Sequence, residues 1–169
     1  MDTRQTQRLE IRHLNESDAG FIFRLLNDES FISNIGDKKI RNNDDALQYL
    51  RQGPIASYKK HAYGLNLVTL KNQGIPIGTC GLICRDELGY PDLGYALLPA
   101  YCAKGYAHEA CVAVLEDAYN IHHLRCIVAI THPSNTSSQR LLKKLGFSQN
   151  GTTQLYGCEN NLYEYRFGL

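Results

Sequence analysis

The sequence predicts an α/β (α+β) domain: a central mixed, twisted sheet with one parallel strand pair and helices on both faces. Three observations carry this. Residues 93–98 form a short apolar run stopped by Pro99, as a buried strand would. After a loop, Ala107, Ala110, Cys111, Val114, Leu115 and Ala118 recur three and four apart, which lays one apolar face along a helix. Residues 124–131 then form a strand rich in β-branched side chains, and a strand, crossover helix and strand in that order imply a parallel pair.

The other elements follow from local pattern. Residues 8–14 alternate apolar and charged side chains, as a half-exposed strand does. Ser17 or Asp18 can cap a helix over 19–27 that places Ala19, Ile22, Phe23 and Leu26 on one face. Residues 31–37 have no clear period, so they read as a loop or broken helical turn, either a lid or a surface connection held by Phe31 and Ile35. Asn43 or Asp44 can cap a second helix with Ala46, Tyr49 and Leu50 on one side; Gly53-Pro54 stops it, and Pro54 can start another turn.

Residues 63–70 read as a strand, Asn72-Gln73-Gly74 as a turn, and residues 75–84 as a second meander strand. Glycines and a proline in that strand imply bends or close packing. Beyond residue 131, Ser134 or Asn135 can cap a helix bearing Ser138, Leu141, Leu142 and Leu145 on one face, with Lys143 and Lys144 outward and Gly146 as its stop. Two strands, near 149–155 and 162–167, close the chain. The expected order is β-α-α-β-β-β-α-β-α-β-β, in a single domain spanning 1–169.

The 169 residues suffice for one domain that buries roughly 70% of its unfolded surface. The net charge of +1 without a dense Lys/Arg cluster argues against a nucleic-acid or polybasic membrane surface. Residues 1–12 lack the apolar stretch of a signal peptide and no run is long enough to span a membrane, so a cytoplasmic location is expected. Of six cysteines, Cys80, Cys84, Cys111 and Cys126 lie in apolar runs and read as core residues. No CxxC occurs, and the adjacent His122 and His123 would point apart, so no metal site is expected.

The start of the helix near residue 107 has the features of an anion site. Its first amides lack partners within the helix and the peptide dipoles add partial positive charge there. Gly105 and Ala107 permit close approach of a phosphate, and Lys104 adds charge; the alternative is a plain loop before a structural helix. Cys102 beside this terminus is either a nucleophile with a lowered pKa or loop filler. Glu109 on the first turn is read as structural, because a carboxylate is favoured there.

Gly94-Tyr95 in a strand, then Lys104-Gly105-Tyr106-Ala107-His108-Glu109-Ala110, then Asn135-x-x-Ser138 with Leu145-Gly146-Phe147 resemble the GNAT superfamily of acetyl-CoA-dependent N-acetyltransferases. The resemblance covers most of the chain. It is strongest to the ribosomal-protein N-terminal acetyltransferase branch, the RimJ/RimL type, with Phe31-Ile32-x-Asn34-Ile35-Gly36-Asp37 and Ile77-Gly78-x-Cys80-Gly81-Leu82 as further matches.

That resemblance implies acetyl-CoA as co-substrate, lying between two splayed parallel strands at 93–98 and 125–131. Its pyrophosphate would meet main-chain N–H groups of Ala103, Lys104, Gly105, Tyr106 and Ala107. Main-chain groups of Ala96 and Leu98 would hold the pantetheine arm, with Asn135 bonding to it. Cys102 departs from the family's usual Gln, Arg or Trp at that place, which removes a side-chain contact but not the main-chain ones.

An amine acceptor must lose a proton before attacking a thioester, the developing oxyanion needs a donor, and the departing thiolate needs a proton. The N–H of Leu97 or Leu98 is expected to be the oxyanion donor. Many members use a Tyr four residues before the Gly-Phe pair; Leu142 stands there. Ser138 is the candidate for the thiolate, since in this branch the Ser of Asn-x-x-Ser points toward the sulfur, although it also suits a helix-face serine bonded to its own backbone. Asp92 acting through water, or His132 at the end of the second strand, is the candidate base; each also suits an ordinary strand-end or loop residue.

Tyr156, Tyr163 and Tyr165 either wall the acceptor pocket or simply pack. Phe31, Asn34, Ile35 and Tyr156 are the candidate acceptor contacts. Asp37, Asp86, Glu87 and Asp92 could form an acidic groove for basic peptides, or be solvated loop charges. The expected activity is acetyl transfer to a primary amine, a protein N-terminus or a small molecule, by a monomer or homodimer. The competing expectation is a non-catalytic acyl-CoA-binding module. A nucleotide-binding domain is disfavoured by the lack of a GxGxxG or Walker-type loop.

Overall fold

Side-chain caps set most helix starts in the computed structural model, which describes residues 3–168. Asn15 and Asp18 form a reciprocal capping box at the 3-10 turn Glu16–Asp18, which runs directly into α1 (Ala19–Leu26). The cap is therefore Asn15 rather than Ser17 or Asp18, because its extended backbone lets the carboxamide reach the orphan amides. Asp28 caps α2 (Glu29–Asn34). Asn42, one residue before the expected pair, caps α3 (Asn43–Gln52). Pro54 opens α4 (Pro54–His61), and α5 (Tyr106–Asn120) and α6 (Thr136–Leu145) follow later in the chain. Asn135 caps α6, and Gly146 ends it with φ of 98°, a conformation that suits glycine.

Helix α2 replaces the loop or broken turn expected over 31–37. Phe31 is buried in the core while Ile32 and Ile35 are exposed, which is why the segment shows no helical period. In α1 the core takes Leu25, and Phe23 lies 38% exposed.

The strands are β1 (Arg4–Gln5), β2 (Leu9–His13), β3 (Leu65–Leu70), β4 (Ile75–Ile83), β5 (Asp92–Leu97), β6 (Cys126–Thr131), β7 (Ser148–Leu155) and β8 (Cys158–Arg166). They form one sheet in the order β1-β2-β3-β4-β5-β6-β8-β7. Every pairing is antiparallel except β5 with β6. Helices cover both faces. Helix α5 packs with Ile77, Cys80, Ile127 and Tyr163 in one core cluster, and Leu142 of α6 joins it. Helices α1 to α3 pack with Leu67 and Leu98 in the other. Burial on both faces explains why β3 places Leu67 in one cluster and Val68 in the other, a pattern that alternation alone does not resolve.

Cys80, Cys111 and Cys126 are buried as expected, but Cys84 is exposed past the end of β4. Among the described residues no helix is long and apolar enough to cross a membrane, and no three His, Cys, Asp or Glu side chains cluster as a metal site requires.

The glycines of β4 permit close packing of backbone on backbone. A Cβ at Gly81 would lie 2.1 Å from Gly64 O, and one at Gly78 would lie 2.1 Å from Ala96 O. Gly20 in the first turn of α1 has nothing within 4 Å of such a Cβ. Gly81→Ala is therefore expected to lower unfolding free energy by about 1–3 kcal/mol. Gly20→Ala is expected to raise it by roughly 0.5–1 kcal/mol. Urea denaturation of the two variants reads the contrast.

Candidate active site

Strand β5 stays in register with β4 along its whole length, from Ile83↔Asp92 to Gly78↔Leu97. Against β6 it has a single registered pair, Asp92↔Val128, with Val128 N donating to Pro91 O at 3.0 Å. Past that rung the two parallel strands separate, and β6 follows β8 instead, through Thr131↔Asn161. The result is a V-shaped gap in the sheet, closed at Asp92 and open toward Leu97 and Thr131.

The parity of β5 decides which main-chain groups face this gap. A residue's N–H and C=O leave a strand on the same side, and the side alternates along the chain. Pro91 O points to β6, whereas Leu98 N donates to Ile77 O at 2.8 Å and Leu98 O accepts from Tyr101 N at 2.9 Å. Tyr95 and Leu97 therefore present their main-chain groups to the gap, and Ala96 and Leu98 are turned toward β4. This corrects two expectations. Leu98 cannot be the oxyanion donor because its N–H is already bonded, which leaves Leu97. The main-chain groups open to the gap are those of Tyr95 and Leu97 rather than those of Ala96 and Leu98.

At the open end, the 3-10 turn Pro99–Tyr101 and a short loop lead into α5. Ala103 at φ 57° and Gly105 at φ 82° adopt left-handed conformations, which curl successive amides inward as an anion-binding nest. No side chain caps α5. Amides that do have partners lie on either side: Cys102 N bonds Pro99 O, and Glu109 N bonds Gly105 O. A residue from the other end of the chain adds positive charge. Arg8 Nη1 donates to Lys104 O at 2.9 Å and its Nε donates to Glu109 Oε2 at 2.7 Å.

Glu109 also accepts from Thr6 Oγ1 and Arg8 N, so it holds the β1–β2 turn against α5. Partial burial opposes its ionisation, but the Thr6 and Arg8 bonds outweigh this and leave its pKa below the ordinary value. Burial pushes the Cys102 thiol upward, the opposite of an activated nucleophile.

Several hydroxyls stand on the strands and the helix that flank the gap. Tyr95 Oη and Ser138 Oγ share a hydrogen bond, and burial raises the Tyr95 pKa, which keeps the phenol a neutral donor. Ser138 N donates to Asn135 Oδ1 at 3.2 Å, so the carbonyl of Asn135 is committed to capping α6. Thr131 Oγ1 and Tyr163 Oη are buried without hydrogen-bond partners among the described residues. Leu142, where a tyrosine was sought, is fully buried in the core.

The two candidate bases differ sharply. Asp92 is 1% exposed, and burial raises its pKa to about 6 against the pull of Arg85 and Lys38. Arg85 Nε lies 3.6 Å from Asp92 Oδ1, beyond hydrogen-bond range, and that oxygen has no partner among the described residues. His132 is exposed, and its Nδ1 is engaged by Ser134 Oγ at 2.7 Å.

Beside the closed end of the V is a cleft of 390 Å³, walled by α3, α4, the end of β4, Lys38 and Tyr156. Tyr156 stands in the β7–β8 turn at φ 54°. Of the other residues expected to contact an acceptor, Phe31 is buried in the core and Asn34 and Ile35 are exposed outside this cleft. Tyr163 is fully buried, and Tyr165 packs on Phe147 and Phe167. Sequence reading missed Arg8, Lys38, Arg85 and Tyr95 as site residues. Only Tyr95 carried a signal, as part of the Gly94-Tyr95 pair.

Comparison with known proteins agrees with this fold. An uncharacterized N-acetyltransferase p20 of Bacillus licheniformis is 26% identical over 157 residues, covering 92% of this chain and 88% of that protein. The crystal structure of an acetyltransferase from Agrobacterium tumefaciens superposes with a TM-score of 0.85 at 21% identity, covering 98% of this chain and 95% of that one. RimL, a ribosomal L7/L12 α-N-protein acetyltransferase in complex with coenzyme A, superposes with a TM-score of 0.84 at 14% identity, covering 98% of both chains. The family model for the acetyltransferase (GNAT) domain matches residues 8–148. With that match over most of its length and the split parallel strand pair in its sheet, this chain belongs to the acetyltransferase (GNAT) domain family.

Proposed function

We propose that the protein transfers the acetyl group of acetyl-CoA to a primary amine by direct attack of the amine on the thioester. The observation that carries this reading is the V-shaped gap, with an uncapped helix terminus at its open end and a buried carboxylate at its closed end. Acetyl-CoA supplies the activated acyl group. The amides of Ala103 to Ala107, with Lys104 and Arg8 beside them, receive the pyrophosphate. Main-chain groups of Tyr95, the C=O of Leu97 and the amide nitrogen of Asn135 hold the pantetheine arm, which aims the sulfur toward Asp92. The similarity to RimL supports the ribosomal-protein type of acetyltransferase as the relevant branch.

Each chemical demand has a residue to meet it. Asp92, with an oxygen free of partners, takes the proton of the incoming ammonium through a water; His132 lies at the other end of the gap and is the lesser candidate. Leu97 N–H donates to the thioester oxygen as negative charge develops there. As the C–N bond forms and the C–S bond breaks, the Ser138–Tyr95 hydroxyl pair relays the proton released by the attacking nitrogen to the departing sulfur, the role that Leu142 cannot fill. The buried Leu142 is also the observation that favours a second reading, an acyl-CoA-binding module without turnover. Release of free CoA in the presence of an amine panel separates the two.

Asp92 acts as a base only when ionised, and with its pKa at about 6 the active fraction grows as pH rises through that value. kcat/KM, which follows the base of the free enzyme, is expected to climb through pH 6 to a plateau. Asp92→Asn should lose that limb and about 10²–10⁴ of kcat; an unchanged limb assigns the base elsewhere.

Tyr95→Phe and Ser138→Ala should each lower kcat by about tenfold with KM for acetyl-CoA little changed. The double variant should fall no further than the worse single one, because the hydroxyls act as a unit. Full turnover in both single variants would remove the pair from the mechanism.

A further inference from the structure

The 390 Å³ cleft beside the closed end of the V has a charge opposite to the acidic groove that the sequence allowed. Its charged lining is Lys38, Lys60 and Arg85, and no Asp or Glu lines it. Asp86 and Glu87 are exposed and stand outside it. Asp37 is ion-paired with Arg41, whose guanidinium holds the carboxyl down to about 2. Asp92 lies behind Arg85 at the closed end of the V.

Two of the cations converge on one ring. Lys38 Nζ lies 5.4 Å, and Arg85 Cζ 5.6 Å, from the centroid of Tyr156. Both are partly buried, and neither has a hydrogen-bond partner among the described residues; the nearest anion, Asp92, is 3.6 Å from Arg85 Nε. Burial first, and then repulsion by Arg85, lower the Lys38 pKa, which Asp92 only partly offsets. Two cations held together with one carboxylate leave an unbalanced positive charge, and a guanidinium beside an ammonium is suited to a carboxylate or phosphate. Protonation of Asp92 during the reaction would enlarge the imbalance.

Building on the acetyl-transfer reading, we infer that the acceptor amine carries its own anionic group, a carboxylate or phosphate, bound between Lys38 and Arg85 under Tyr156. The cleft volume of 390 Å³ falls within the range of small-molecule sites and accommodates an amino-acid-sized acceptor. An anion there has a second effect. It offsets the pull of both cations on Asp92, so binding of the acceptor strengthens the base that must deprotonate it. Amine recognition and base activation are thereby coupled through Arg85.

The test is coupled CoA release with matched amines. The pairs are glutamate against its diamide, phosphoethanolamine against ethanolamine, and an N-terminal Ser-Glu peptide against its Ser-Lys counterpart, with spermidine as the cationic arm. The carboxylate, phosphate and peptide arms distinguish the sources of the anion. At least one anionic member should exceed its partner by about tenfold in kcat/KM, chiefly through KM. Lys38→Glu should invert that order and favour spermidine or the Ser-Lys peptide, an outcome that mere destabilisation does not produce. Equal or better use of the neutral and cationic members by the unaltered protein, or an unchanged order in Lys38→Glu, overturns the inference. If no amine releases CoA, the transfer reading fails. The charge preference is then read by calorimetric titration of the CoA-saturated protein with the same pairs, where equal affinities overturn it and tighter binding of an anionic member supports it.

Discussion

Everything at the site depends on a parallel strand pair that forms one rung and stops. Strand β5 is committed to β4 from Asp92 to Leu97, and β6 is committed to β8 along its full length. The twist each inherits from its antiparallel partner carries the two apart beyond Asp92↔Val128. Leaving main-chain groups unpaired inside a sheet is costly. The cost is sustained because each strand is held along its length by an antiparallel neighbour and both flanks share one core cluster, through Leu93, Ile127 and Ala129. What the sheet loses in hydrogen bonds it gains as a slot whose edges present N–H and C=O groups to an extended ligand.

The two ends of that slot have different electrostatics, and this sets the direction in which a ligand lies. The open end offers uncapped amides, Lys104 and Arg8, all suited to phosphate. The closed end offers a buried carboxylate whose ionisation is opposed by burial and assisted by Arg85 and Lys38. An acyl carrier with an anionic head and a neutral thioester tail fits in only one orientation. The strands meet at the Asp92↔Val128 rung, so the closed end has no passage for a diphosphate, while the tail has nothing to gain from the amides of α5.

Much of this arrangement was legible in the sequence where cause and effect are local. The strand at 93–98, the uncapped start of α5, the Asn135 cap and the Gly146 stop all follow from residues within a turn or two of the feature. Register was not legible. Both faces of β5 are covered, so no apolar alternation reports which N–H groups face β6, and the choice between Leu97 and Leu98 needed the Leu98–Ile77 bond. Long-range partners were equally hidden: Arg8 reaches Lys104 across 96 positions, and its charge in an alternating strand looks like any solvated face. Lys38 and Arg85 were passed over because each sits beside acidic residues, Asp37 and Asp86, that suggest the opposite charge for the groove. Only the fold turns the cations inward and leaves Asp37 paired with Arg41.

The central claim is that the amides opening α5 grip the diphosphate of the acyl carrier while the gap takes its arm. Amide-resolved NMR titration with CoA tests it most directly, with pantetheine as the comparison ligand lacking the diphosphate. The account predicts that CoA shifts the amides of residues 103–107 together with Tyr95 and Leu97, and that pantetheine, at much weaker affinity, shifts Tyr95 and Leu97 alone. Saturation with CoA while the amides of 103–107 stay unmoved would contradict it.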